Sequence, residues 1–224
     1  MTERRRLLLR AAREADVERV VRYNETHRDK NNIPREPSEI YDAVSNGLFF
    51  LAESDGQEIA AVAGVFELRE TVPHLEFGAT HVDAPWRGFG LQRALMFPLR
   101  IAATLVAYSA PVNWTAIKPD NEPSKRSMAE NGFVLDAEPI KELTNPGCNN
   151  CDQKPKPESG RVCCCDFYKL STEGWKEPLR RLLALTADSL VVELEHRNTE
   201  ERLEIEVRSK YVVELREAVE DLAK

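Results

Sequence analysis

Val82-Asp83-Ala84-Pro85-Trp86-Arg87-Gly88-Phe89-Gly90-Leu91-Gln92 governs how the rest of the chain is read. The run from His74 to Val82 predicts a strand. The apolar-faced stretch from Leu91 to about Tyr108 predicts a long helix, with Pro98 kinking it from inside. Between them lies a turn with one arginine and two glycines. Helix starts leave backbone N–H groups unpaired and carry a partial positive charge, and glycine lets that backbone approach a ligand closely. Such a turn suits a pyrophosphate. Its spacing is not that of a P-loop, nor of a dinucleotide fingerprint, which needs an early βαβ unit. Taken alone, the glycines serve equally well as the shape of a tight strand-to-helix turn.

Working outward, Leu7-Leu8-Leu9-Arg10 predicts a first strand, and a helix follows from Asp16 through Tyr23-Asn24. Ser38 to Ser45 predicts a second helix that Asn46-Gly47 closes. Strands are expected over Leu48–Glu53 and Ile59–Leu68, joined by Ser54-Asp55-Gly56-Gln57, a hairpin signal. Downstream, Val112–Ile117 reads as a strand and Asn121–Asn131 as a helix stopped by Gly132. Phe133–Ile140 and Val162–Leu170 read as two further strands. Hairpins mixed with crossover helices make an α+β protein around one mixed sheet.

From Trp175 the pattern changes. A helix over Pro178–Leu190, alternating strands around Leu190–Leu194 and Leu203–Val207, and a helical stripe from Val212 to Leu222 form a small α-β-β-α appendage. The expected division is therefore 1–170 as the main domain, with a Cys-rich insertion at 145–165, and 171–224 as an extension that packs on it or dimerises.

The chain has 224 residues with 31 basic and 38 acidic side chains, a net charge of −7. That balance argues against a general grip on nucleic acid. No run approaches the ~18 apolar residues of a membrane span. The basic start is followed by only Leu7-Leu8-Leu9, short of the roughly 7–15 apolar residues of a signal peptide. A soluble, cytoplasmic protein is expected.

Two segments together carry a resemblance. Arg87-Gly88-Phe89-Gly90-Leu91-Gln92 resembles the R/Q-x-x-G-x-G/A pyrophosphate loop of the GNAT acyltransferase superfamily. Asn121-Glu122-Pro123-Ser124, running on to Gly132-Phe133, is similar to that superfamily's next helix and turn. The order of helices and strands from Leu7 to Leu170 matches as well. The resemblance implies acetyl-CoA as cosubstrate, lying in a V between strands that end near Val82 and Ile117. Backbone groups at Val82 would pair with the pantetheine, residues Arg87 to Gln92 would hold the pyrophosphate, and Asn121 and Ser124 would face the cofactor. The implied reaction is direct acyl transfer to an amine of a small molecule or protein.

Two positions depart from the family pattern. Gln92 replaces a small residue and is expected to crowd the phosphates. Met128 stands where many members have the tyrosine that protonates the leaving thiolate. Ser127 is adjacent, but is expected to point elsewhere. A water or Tyr108 would do that work, or release goes unaided. Glu76 is the first candidate base, on a strand whose even spacing would put Glu76, Thr80 and Val82 on one face. The alternative is a solvated edge carboxylate. His81, and His74 nearby, offer imidazoles that titrate near neutrality.

All five cysteines lie between Cys148 and Cys165. Cys148-Asn149-Asn150-Cys151 is a zinc half-site, and Cys163 and Cys165 share a strand face that would complete four sulfurs around a structural Zn2+. Cys164 would then point into the core. A disulfide pair, a redox thiol set, buried apolar cysteines and an iron–sulfur cluster are the alternatives. The leading reading is thus an acetyl-CoA-dependent N-acetyltransferase. A catalytically weak acyl-CoA-binding regulator is the second. An assembly protein, forming a homodimer through its C-terminal extension, is the third.

Overall fold

The computed structural model describes residues 5–27, 35–68, 74–108, 112–136 and 165–222. Among these residues nine strands form one mixed sheet: β1 (Arg5–Ala11), β2 (Phe49–Ser54), β3 (Ile59–Leu68), β4 (His74–Val82), β5 (Val112–Ile117), β6 (Phe133–Leu135), β7 (Asp166–Leu170), β8 (Val191–Glu195) and β9 (Arg202–Arg208), in the spatial order β6-β7-β5-β4-β3-β2-β1-β9-β8. The helices are α1 (Val17–Thr26), α2 (Pro37–Ser45), α3 (Phe97–Ala107), α4 (Glu122–Glu130), α5 (Lys176–Leu185) and α6 (Lys210–Leu222).

Strand β2 shows why the sheet is covered on both faces. Phe49 and Leu51 pack with Val20, Ile40 and Val44 of α1 and α2, while Phe50 and Ala52 join the core built on α3. A strand buried on both sides reads as the continuous apolar run seen here. The C-terminal strands instead alternate: Val192 and Leu194, with Leu203, Ile205 and Val207, are buried, and their neighbours face solvent. They do not stand apart from the sheet. β9 pairs in parallel with β1 from Arg5↔Leu203 to Arg10↔Arg208, and α5 and α6 pack on α3. Among the described residues no helix is long and apolar enough to cross a membrane.

Three boundaries differ from the sequence expectation. Pro98 does not kink the middle of a helix. A π-helical turn, Gln92–Met96, comes first, and Pro98 sits in the first turn of α3, where its missing N–H costs little. The helix expected over Pro178–Leu190 ends at Leu185, with Thr186 as its cap. β6 ends at Leu135, before Asp136, and β7 starts at Asp166, with Cys165 in a bend before it, while residues 137–140 and 162–164 of those two expected strands lie outside the described residues.

Candidate functional site

β4 and β5 run parallel but pair only from His74↔Val112 to Glu76↔Trp114. At the next step the Thr115 hydroxyl donates to the Phe77 carbonyl at 2.8 Å, and beyond it the strands part. A cavity of about 470 Å³ opens in that V, reaching Glu76 and Arg35 at one end and Asn121, Ser124 and Met128 at the other.

The floor of the V contains a β-bulge. Val62 pairs with His81 and Gly64 with Gly78, so Ala63 alone faces both Ala79 and Thr80. Ala79 takes a positive φ of 44°, which a non-glycine residue rarely adopts. The extra residue inverts the alternation. Phe77 stacks on Phe97, and Thr80 Oγ1 accepts from Arg100 at 3.0 Å, so both face α3. Glu76 lies on the opposite face with Arg35 and Phe66. The expectation that Glu76, Thr80 and Val82 share one face is therefore corrected: an uninterrupted period of two does not survive a bulge.

Nor is Glu76 a solvated edge carboxylate. Its Oε1 accepts from Arg35 Nη2 at 2.7 Å, and the two side chains are only 2% and 3% exposed. Arg35 also lies over the Phe66 ring, 4.3 Å from its centroid, and reaches Glu39 at 3.4 Å. Burial is the strongest single influence and would lower the Arg35 pKa; the charges and hydrogen bonds of Glu76 and Glu39 together outweigh it, and the net shift is upward. The second oxygen of Glu76, Oε2, is buried without a hydrogen-bond partner.

His81 also lines the cavity, among a group of polar side chains. Asp83 Oδ1 accepts from the Tyr23 hydroxyl at 2.7 Å, and lies 3.3 Å from His81 Nε2 and 3.1 Å from His27 Nε2. Burial, with Asp83 beside it, pushes the Tyr23 phenol well above its ordinary value. Among the described residues, His27, His81 and Asp83 are the group close enough together to hold a metal ion. His74 is buried at the start of β4.

The glycine turn lies at the open end of the V. Gly88 and Gly90 have φ of 95° and 75°, which explains glycine at both positions. Phe89 and Leu91 alternate with them and are buried, pinning the loop to the core while its backbone stays at the surface. Gln92 lines the cavity. Its side chain folds inward, and Nε2 donates to the Val62 carbonyl at 3.2 Å beside the bulge. Arg87 Nε donates to the Val82 carbonyl at 2.7 Å. Across from the loop, Asn121 caps α4 by accepting the Ser124 N–H at 3.3 Å. Ser124, Ser127 and Met128 share the helix face that lines the cavity, so Ser127 points toward the V rather than away from it. A second cavity, of about 810 Å³, continues from Val82 and Ser127 along the loop.

Tyr108 is not brought to this site. It follows the C-terminal end of α3, outside both cavities, and its hydroxyl donates to Glu67 at 2.9 Å. Burial, and then the Glu67 contact, push its pKa up to about 12. Of the cysteines assigned to zinc, Cys165 is described and buried, whereas Cys148, Cys151 and Cys163 lie outside the described residues. Sequence reasoning missed two site residues, Arg35 and His196. Arg35 sits beside a proline-broken loop and carries no motif. His196 belongs to the β8–β9 turn and reaches Gly88 only through the tertiary fold.

No protein-family model and no curated protein matches this chain in sequence. Solved structures do match in shape. Naa50 of Arabidopsis thaliana, in complex with the bisubstrate analogue CoA-Ac-MVNAL, is 14% identical with a TM-score of 0.53, over 74% of this chain and 98% of that one. YncA of Salmonella typhimurium, assigned as an acetyltransferase and solved with acetyl-CoA, is 17% identical with a TM-score of 0.51, over 74% and 93%. An assigned acetyltransferase of Acinetobacter baylyi gives 16% identity and a TM-score of 0.53, over 77% and 96%. The fold of this chain is the GNAT fold.

Proposed function

We propose that the chain is an acetyl-CoA-dependent N-acyltransferase. The observation that carries this reading is the three-pair β4–β5 ladder opening into a V, whose wide end meets the glycine turn and the start of the π-helical segment. A CoA thioester fits that path. Its pantetheine would lie along Phe77–Val82, its phosphates on the amides of Gly88–Gln92, and Asn121 and Ser124 would close the other wall.

In this reading the acceptor amine enters from the Glu76 end. Arg35 fixes one carboxylate oxygen of Glu76, leaving Oε2 to take the proton as the amine nitrogen attacks the thioester carbonyl. The bulge at Ala79 and Thr80, which has two residues against one in β3, supplies the backbone donor for the oxyanion. The carbon–sulfur bond then breaks, and the thiolate leaves toward Ser127 and Met128. Met128 has no proton to give. A serine hydroxyl or a water there protonates the sulfur.

Met128 also favours a second reading, an acyl-CoA-binding regulator with slow chemistry. A structural zinc on Cys148, Cys151, Cys163 and Cys165 rests on spacing alone, and the metal content of purified protein tests it. The functional test is calorimetric titration with CoA and acetyl-CoA, followed by turnover against a panel of amines. Binding that vanishes in Gly88→Val and Gly90→Val, together with CoA release on adding an amine, supports the enzyme. Binding without turnover favours the regulator. No binding by folded protein overturns both.

A further inference from the structure

The β8–β9 turn lies on the glycine loop. A Cβ built on Gly88 would fall 2.1 Å from His196 Nε2, the Arg197 N–H donates to the Gly88 carbonyl at 3.2 Å, and the Phe89 and His196 rings are 5.0 Å apart edge to face. His196 and Arg197 are thus part of the wall of the second cavity.

His196 Nδ1 lies 3.3 Å from the Asn198 backbone nitrogen and 3.0 Å from Thr199 Oγ1, contacts that hold the ring against Gly88. Arg87, Arg93, Arg126 and Arg197 line this cavity against Glu130 and Glu195, a cationic pocket in a chain of net charge −7. Arg93 reaches Glu130 at 3.4 Å.

From this we infer that the β8–β9 turn is a wall of the phosphate site: the Arg197 guanidinium, with the His196 ring beside it, binds phosphate groups of the CoA nucleotide. The C-terminal segment is then part of the cofactor site and not only of the scaffold. This rests on the acyl-CoA reading above and extends it to residues outside the loop-and-helix motif.

Calorimetric titrations of the full chain with CoA, dephospho-CoA and pantetheine test it, using Arg197→Gln and His196→Ala. Both positions lie at a surface turn, and unchanged thermal unfolding will show that the variants fold. Arg197→Gln should weaken CoA roughly tenfold and His196→Ala a few-fold, with pantetheine unaffected. If the Arg197 effect disappears with dephospho-CoA, the contact is to the 3′-phosphate; if it persists, the contact is to the pyrophosphate. Both variants binding CoA as the wild type does would overturn the inference while leaving the acyl-CoA reading intact. Failure of the wild type to bind CoA would overturn that reading itself.

Discussion

The hydroxyl of Thr115 holds the carbonyl of Phe77 at the point where the β4–β5 ladder stops, a side chain standing in for the next backbone bond. Both residues are buried, so the carbonyl has no water to fall back on. Thr115→Val keeps the shape and removes the donor. It should cost about 1–2 kcal/mol of stability, read as a lower urea midpoint, and weaken CoA binding a few-fold as the fork loosens. An unchanged midpoint would mean that the fork is held by the flanking ladder alone.

Glu76→Gln tests the base. The amide oxygen can still accept from Arg35 but cannot take a proton from the amine. Turnover should fall by about 100-fold or more, with CoA affinity within a factor of two. Some loss of stability is expected as well, because the buried Arg35 cation loses its counter-charge. A variant with normal turnover would move the proton transfer to His81.

Asp16 predicts a pH dependence. It accepts from Arg10 at 2.6 Å, from the Arg13 N–H at 2.8 Å and from Arg19 at 3.1 Å, while Glu53 bridges the same two arginines from β2. The Arg10 hydrogen bond dominates, opposed by burial, and holds the Asp16 pKa below the ordinary carboxylate value. A carboxyl group lowered in the folded state contributes stability above its unfolded pKa, and loses it as pH falls through the folded one. Asp16→Asn should therefore destabilise the protein at pH 7 by about 1–3 kcal/mol. The gap between variant and wild type should close below about pH 4. A gap constant with pH would show that the charge of Asp16 is not what matters.

Gly132 and Gly174 press backbone against backbone. A Cβ on Gly132 would lie 2.1 Å from the Gly174 carbonyl oxygen, and Gly132 has a φ of 82°. Gly132→Ala should cost about 3 kcal/mol, from left-handed strain plus a clash that no rotamer relieves. Thermal unfolding reads this directly, and a shift under one degree would contradict the packing.

Much of this architecture can be read from residue order. The bounds of β3, β4 and β5 follow from their apolar runs and the Asp55-Gly56 hairpin, and the glycine turn announces itself by composition. Other features leave little local trace. Gly78 beside Ala79 is a faint mark of the bulge, but nothing local shows that one extra residue turns Glu76 toward Arg35 instead of alongside Thr80. Pro98 marks a disturbed helix, yet its position alone does not show that the preceding turn widens to take up the strain. His196 meets Gly88 only because β9 joins β1, a pairing between segments almost a whole chain apart. Periodicity sees neighbours along the chain, whereas such contacts are set by which sheet edge remains open.

That last pairing bears on how the protein is made. β1 is synthesised shortly before β2 and can bond it at once, but its other edge has no partner until residues 202–208 have been made. Until then the nascent chain carries an open strand edge, with Leu7 and Leu9 awaiting cover from Val207 and its neighbours. A messenger cut short before that point would yield a product with a sticky rim and without the β8–β9 turn that walls the second cavity. Quality control would meet such a fragment as an aggregation hazard rather than as a folded protein with a weakened site.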